Sequence, residues 1–341
     1  MGIAAARGVH LVGSIGLLTA QDVFRKCGQL LGPRLKRVPD GEVGGRRLWV
    51  TWQFPLLRSM PFLAPVDRSQ GVLSRMKLAD GVGSEDVYFG ELGYAREART
   101  SYEDFLSARK AGHLPERVRF MIAMPTPYAV LQAFVDPNAL RVVEPAYAAA
   151  MIAEVKRICD AIPHKDLAIQ WDVCFEMLVW DGGSPNWQWR ADGDPRAEIV
   201  RRLKVLAEAV PGDVELGFHL CYGDLDAKHF FEPKDTGPMV DLSNTLATTI
   251  PRKIDWIHMP VPVERTDDAY FAPLDKLRTK PETDVYLGLV HLKDGIDGAR
   301  KRIAAAEARL GSFGVSTECG FARVRTPVVV ERILEIHAGI D

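Results

Sequence analysis

The sequence predicts an α/β fold, a (β/α)8 TIM barrel with a long insertion after strand two. Three observations carry this. Eight short apolar runs follow one another along the 341 residues, most of them separated by longer amphipathic runs. Most of the short runs end in a polar or Gly/Pro-bearing turn. No G-x-G-x-x-G follows the first run, which sets a doubly wound open sheet second.

The elements follow in order. Val9–Gly13 is the first expected strand and ends at Ser14; Ala20–Leu31 is the first amphipathic helix. Leu35–Pro39 leads into Asp40-Gly41-Glu42. The connection Glu42–Val118, with Pro55, Pro61 and Pro65, is too long to be structureless. It is expected to carry extra helices or a lid, the Tyr102–Ala111 helix among them. Arg119–Met124, Leu167–Asp172, Val214–Cys221, Ile254–Met259, Val285–Val290 and Phe313–Thr317 complete the strands. Glu144–Ile162, Arg196–Ala209, Asp294–Leu310 and Pro327–Ala338 are the helices between and after them. Asp294-Gly-Ile-Asp297 offers caps for the third of these. Val330, Ile333, Leu334 and His337 give the last its apolar face. No composition break divides the chain, so residues 1–341 are expected to form a single domain.

The chain is 47% hydrophobic and 26% charged, with a net charge of −2, an ordinary globular balance. Nothing in that balance points to nucleic acid or an anionic membrane as a partner. No apolar run approaches the roughly 20 residues that span a bilayer, and the N-terminus lacks the apolar core of a signal peptide. The five cysteines are an odd set without regular spacing, which argues for a reducing cytoplasm over a disulfide framework. A small-molecule substrate is the expected partner, and a homo-oligomer is left open.

Barrels of this kind carry their chemistry at the carboxyl ends of the strands. Reading only those positions gives Ser14, Asp40, Glu42 with Arg46, Asp172 with Glu176, His219, Cys221 and Asp224. It adds His258, His291, Lys293 and Asp294, then Glu318-Cys319-Gly320. Ser and Asp are common turn and cap residues, and exposed ion pairs contribute little, so no single member decides. Asp172 ends an apolar run, where a carboxylate needs a partner or a ligand. His219 and Cys221 are the most informative pair. At i and i+2 on a strand they point to one face. With Cys319 they make a soft ligand set for Zn2+ that leaves a position open. The alternative is two buried cysteines and a satisfied core histidine. Trp49, Trp52, Trp171, Trp180, Trp187 and Trp189 suggest a partly aromatic pocket. Trp180–Arg190 reads as a loop facing the site.

These motifs, in this order, resemble the catalytic barrel of cobalamin-independent methionine synthase, in the superfamily shared with uroporphyrinogen decarboxylase. Val12-Gly13-Ser14-Ile15-Gly16 is similar to its first-strand Gly-Ser motif. Asp40-Gly41-Glu42 with Arg46 looks like the segment that holds the amino-acid substrate. Ile169-Gln-Trp-Asp172 looks like the strand whose Asp contacts substrate. His219-Leu-Cys221 and Glu318-Cys319-Gly320 resemble its zinc motifs. The resemblance implies substrate binding by Ser14, Glu42, Arg46 and Asp172, and zinc on His219, Cys221 and Cys319. It departs where the family has a zinc-ligating Glu at the end of strand six. Pro260 stands there, and His258, Glu318 or water are the candidates to replace it, His258 first. Asp172-Val173-Cys174 replaces the family's Asp-Glu-Pro, and Lys293 falls where the family has a His acting as an acid. The full-length synthase carries a second barrel, whereas residues 1–341 are expected to form a lone one.

The expectation is therefore a cytoplasmic zinc-dependent methyl or alkyl transferase that activates a thiol substrate and is not methionine synthase itself. Glu42, Asp172 and Lys293 are its expected catalytic groups. The alternatives are a hydrolase, lyase or decarboxylase acting on a small aromatic or carboxylated substrate, and a non-catalytic binding barrel.

Overall fold

The computed structural model describes residues 7–67, 69–70, 74–182, 193–224 and 228–340. Trp187, Trp189 and the loop expected after Trp180 lie outside them. Among the described residues no helix is long and apolar enough to cross a membrane.

The first helix, α1 (Ala20–Leu31), starts where Thr19 Oγ1 accepts from Asp22 N, and it buries Val23, Phe24, Cys27 and Leu31. Strand β1 (Arg37–Pro39) follows. The long insertion comes next, as expected. It holds a 3-10 segment over Gly44–Gln53, the short helix α2 (Phe54–Ser59) and an antiparallel pair, β2 (Leu63–Pro65) with β3 (Met76–Leu78). It ends in α3 (Tyr94–Lys110), longer at its start than the Tyr102–Ala111 pattern indicated. The rest alternates: β4 (Arg119–Pro125), α4 (Pro127–Phe134), α5 (Pro137–Ala161), β5 (Leu167–Val173), α6 (Phe175–Asp181), α7 (Pro195–Glu208), β6 (Glu215–Leu220), α8 (Gly237–Thr249) and β7 (Trp256–Pro260). After these come α9 (Asp268–Phe271), β8 (Asp284–Val290), α10 (Gly295–Glu307), β9 (Gly314–Thr317) and α11 (Pro327–Ala338). Asp294 precedes α10 without capping it through its side chain. Its carboxylate instead grips the buried Arg302 through two contacts of 2.8 Å.

Seven parallel strands form one sheet in the order β1-β4-β5-β6-β7-β8-β9. The sheet curls, because side chains from distant strands meet inside it. Arg37 of β1 reaches Glu215 of β6 at 2.5 Å and lies over the Trp256 ring of β7 at 4.0 Å. Met121, Ala168, Trp256 and Tyr286 make a small apolar cluster of their own within the curl. Gly217 is required there, since a Cβ would stand 1.9 Å from the Trp256 ring.

Val9–Gly13 is not a continuous strand. Val9 bridges Leu35 on one side and Val315 on the other, and farther along Ser14 bridges Gly41 and Ile15 bridges Phe321. Between those bridges the Val12 carbonyl accepts from the Gln170 side chain at 2.6 Å, a bond that replaces a ladder contact. The segment thus touches both outer strands of the sheet without ladder pairing along its length.

Candidate metal centre

Parallel register places Asp172 opposite His219 and Val173 opposite Leu220, and the Cys221 N–H donates to the Val173 carbonyl at 2.9 Å. Strand alternation then turns Asp172, His219 and Cys221 to the inner face. Cys319 arrives from the far side of the curl, just past β9. Thr317 Oγ1 donates to its carbonyl at 2.7 Å, and Phe321 N donates to the Ser14 carbonyl at 2.7 Å. Gly320 is needed between them: a Cβ would fall 2.2 Å from Ser14 Oγ.

One ligand atom each from His219, Cys221 and Cys319 lies within 4.8 Å of the others. The two sulfurs stand 3.7 Å apart. Two thiolates at about 2.3 Å from one tetrahedral zinc would be separated by about 3.8 Å, so the pair is already spaced for a shared ion. The histidine is also prepared. His258 Nε2 faces the Thr317 carbonyl at 3.0 Å and therefore carries its proton. His258 Nδ1 is then the acceptor for His219 Nδ1–H at 2.7 Å. That leaves His219 Nε2 with a bare lone pair, buried and without a hydrogen-bond partner. Burial pushes the His258 pKa down to about 3. Burial, then the neighbouring His258, holds His219 well below the usual histidine value. Both rings are neutral near pH 7, the form a metal binds. The donor set fits Zn2+.

His258 was the first choice for the fourth ligand, and the structure does not bring it there. Both its nitrogens are engaged, and it orients His219 instead.

A cavity of about 40 Å3 joins the metal group to Ser14, Glu42 and Asp172. Asp172 is held by Gln170 Nε2 at 2.9 Å and by Trp49 Nε1 at 3.2 Å. Burial raises its pKa to about 7, against the pull of those two donors. Glu42 sits in left-handed backbone at φ 49°, a strained conformation for a side-chain-bearing residue. Loss of solvent raises its pKa to about 8, reinforced by the charge of Asp172 and opposed by Arg46 and Arg323. Two carboxyls with pKa values near neutrality in one small cavity can share a proton at pH 7.

The Glu42 pKa lies above its ordinary 4.5, so the protonated form favours the folded state. Stability from this group is full below about pH 4.5 and is lost as the pH rises towards about 8. Glu42→Gln is expected to flatten that decline and raise the melting temperature at pH 8 more than at pH 5. Thermal melts of both proteins across that range check it, and parallel curves would disprove it.

Two other expected site residues stand elsewhere. Arg46 is bound to Asp40 at 2.6 Å and lies 3.4 Å from Glu97. It supports the turn, since Asp40 Oδ1 accepts the Glu42 N–H at 2.9 Å, and it does not line the metal cavity. Lys293 is a correction of the same kind: it pairs with Glu264 on the surface, both side chains well exposed. The chain turns away after β8, so strand periodicity no longer aims its residues inward. His291, directly after β8, is the buried one, 3.7 Å from Glu318. Glu318 also lies 3.5 Å from His229, and burial lifts its pKa to about 7.

Arg323 was missed. It lines the cavity, lies 6.0 Å over Trp49 and donates to the Asp224 carbonyl. Its one signal was position, three residues beyond Gly320. A larger cavity of about 430 Å3 lies between α5 and α7, and no residue of the metal group lines it.

The fold is similar to two solved structures. One is a B12-independent methionine synthase from Shewanella sp. W3-18-1 in complex with selenomethionine. It is 15% identical with a TM-score of 0.59, and the match covers 97% of each chain. The other, from Listeria monocytogenes, is assigned as a vitamin-B12-independent methionine synthase. It is 16% identical with a TM-score of 0.52, over 97% of this chain and 96% of that one. No family model matches the sequence. No curated protein matches it either.

Proposed function

We propose that this chain is a zinc-dependent transferase that moves a methyl or alkyl group to a small thiol substrate in the cytoplasm. The sheet is read as an eight-membered barrel whose first member is the bridging segment Val9–Ile15. The observation that carries the proposal is the spacing of His219, Cys221 and Cys319 beside two carboxyls in one cavity. The likeness to two B12-independent methionine synthase structures supports the reading.

His219, Cys221 and Cys319 would hold the ion. Bound there, Zn2+ supplies Lewis acidity that lowers the pKa of a thiol or water in the remaining position. Glu42 and Asp172 pair with a substrate ammonium, and Ser14 donates to a substrate carboxylate. Arg323, which lines the same cavity, opposes the upward pKa shift of both carboxyls with its charge. The cavity, at about 40 Å3, is far smaller than the 300–1,000 Å3 of ordinary ligand sites, so substrate must displace side chains at its rim. Pro260 ends β7 where the methionine synthase pattern has a zinc-ligating Glu, so substrates other than those of methionine synthase are proposed.

X-ray absorption of the zinc-loaded protein tests the thiol reading. A selenol analogue of the thiol substrate is expected to bring selenium into the zinc shell. If no thiol or selenol enters the shell while a hydrolysable or decarboxylatable compound is turned over, the second reading, a zinc hydrolase or lyase, replaces the first. One observation favours that second reading: Glu42 and Asp172 have pKa values of about 8 and 7, suited to acid–base work on water.

His258→Ala is expected to weaken zinc binding about 10–100-fold, the usual cost of losing an outer-shell partner. The nitrogen count at the metal should stay unchanged. Chelator competition and X-ray absorption together check this, and a lost nitrogen ligand would place His258 in the shell itself.

A further inference from the structure

Cys174 follows β5 as Cys221 follows β6. Val173 and Leu220, the residues before them, are register partners. Each cysteine stands two residues beyond an inward-facing strand residue, Asp172 and His219, and both line the same cavity. Cys174 is fully buried. It lines the same cavity as His219, Cys221 and Cys319. Cys174 precedes α6 without capping the helix through its side chain, so no local task holds the thiol.

We propose that Cys174 supplies the fourth zinc ligand when no substrate is bound, making a shell of one histidine and three cysteines in place of the Glu that β7 lacks. This rests on the metal reading above. Cys174 stands outside the group whose ligand atoms lie within 4.8 Å of one another. It must therefore swing inward about its one side-chain torsion, a change of rotamer that carries a cysteine sulfur roughly 3 Å. Four protein ligands close a zinc site. An incoming thiol would enter by exchange: Cys174 would release the ion as substrate sulfur takes its place, and the substrate proton would pass to Cys174 Sγ. The net charge of the site is unchanged.

X-ray absorption of the reduced, zinc-loaded wild-type protein tests the assignment without any variant. Three sulfurs and one nitrogen are expected. Cys174→Ser should keep near-stoichiometric zinc and lose one sulfur. A wild-type count of two sulfurs, with nitrogen and oxygen completing the shell, overturns the Cys174 assignment and leaves the metal site standing. Three sulfurs in both proteins also overturns it. Protein that takes up no zinc under reducing conditions overturns the assignment and the metal reading together.

Discussion

Cys319→Ser and Cys221→Ser are each expected to abolish stoichiometric zinc and, with it, turnover. Each removes one of two sulfurs that stand 3.7 Å apart, and a serine hydroxyl is a harder, weaker partner for the ion. Loss of an outer-shell partner costs about 10–100-fold in affinity. Loss of a direct ligand should exceed that upper bound. The fold should survive, because both residues lie just beyond strand ends and their backbone contacts are kept. Elemental analysis and chelator competition measure the first effect, and thermal melts of the zinc-free proteins measure the second. Full activity in a metal-free wild-type protein would remove the zinc hypothesis.

The sequence exposed the parts of this site that local periodicity governs. His219 and Cys221 are two residues apart on one strand, so their shared face follows from the pleat alone. Asp172 was legible because a carboxylate near the end of a largely apolar run has to be used, and the strand is buried throughout. The rest depends on which strands become neighbours. His258 sits on a strand at the expected level, and only the register that pairs it with His219 shows that it orients that ring. Cys174 looked like a departure from a motif until β5 and β6 were aligned. Lys293 failed for the opposite reason. The resemblance placed it beyond the end of β8, where the chain turns, and His291 is the residue kept inside there. The strand expected over Val9–Gly13 failed because a side chain takes a backbone carbonyl that a ladder would have used.

That side chain, Gln170, underlies the second large expected effect. It is fully buried and spends its amide on four partners from separate parts of the fold. Nε2 donates to the Val12 carbonyl at 2.6 Å and to Asp172 at 2.9 Å. Oε1 faces His10 Nε2 at 2.8 Å and accepts from Trp256 Nε1 at 3.2 Å. Gln170→Leu keeps similar bulk and strands all four. Each buried polar group left without a partner costs about 1–3 kcal/mol, and some of the four will find substitutes. A loss of about 3–5 kcal/mol is therefore expected, seen as a drop of several degrees in melting temperature. The substitution also reaches the metal cavity. The Gln170 bond is the strongest pull lowering the Asp172 pKa, so its removal should move that pKa further up from about 7. Carboxyl titration followed by infrared or NMR measures that shift. If Gln170→Leu melts with the wild type and leaves Asp172 unmoved, this amide does not tie the bridging segment to the sheet, and that segment must be held by its isolated backbone bridges alone.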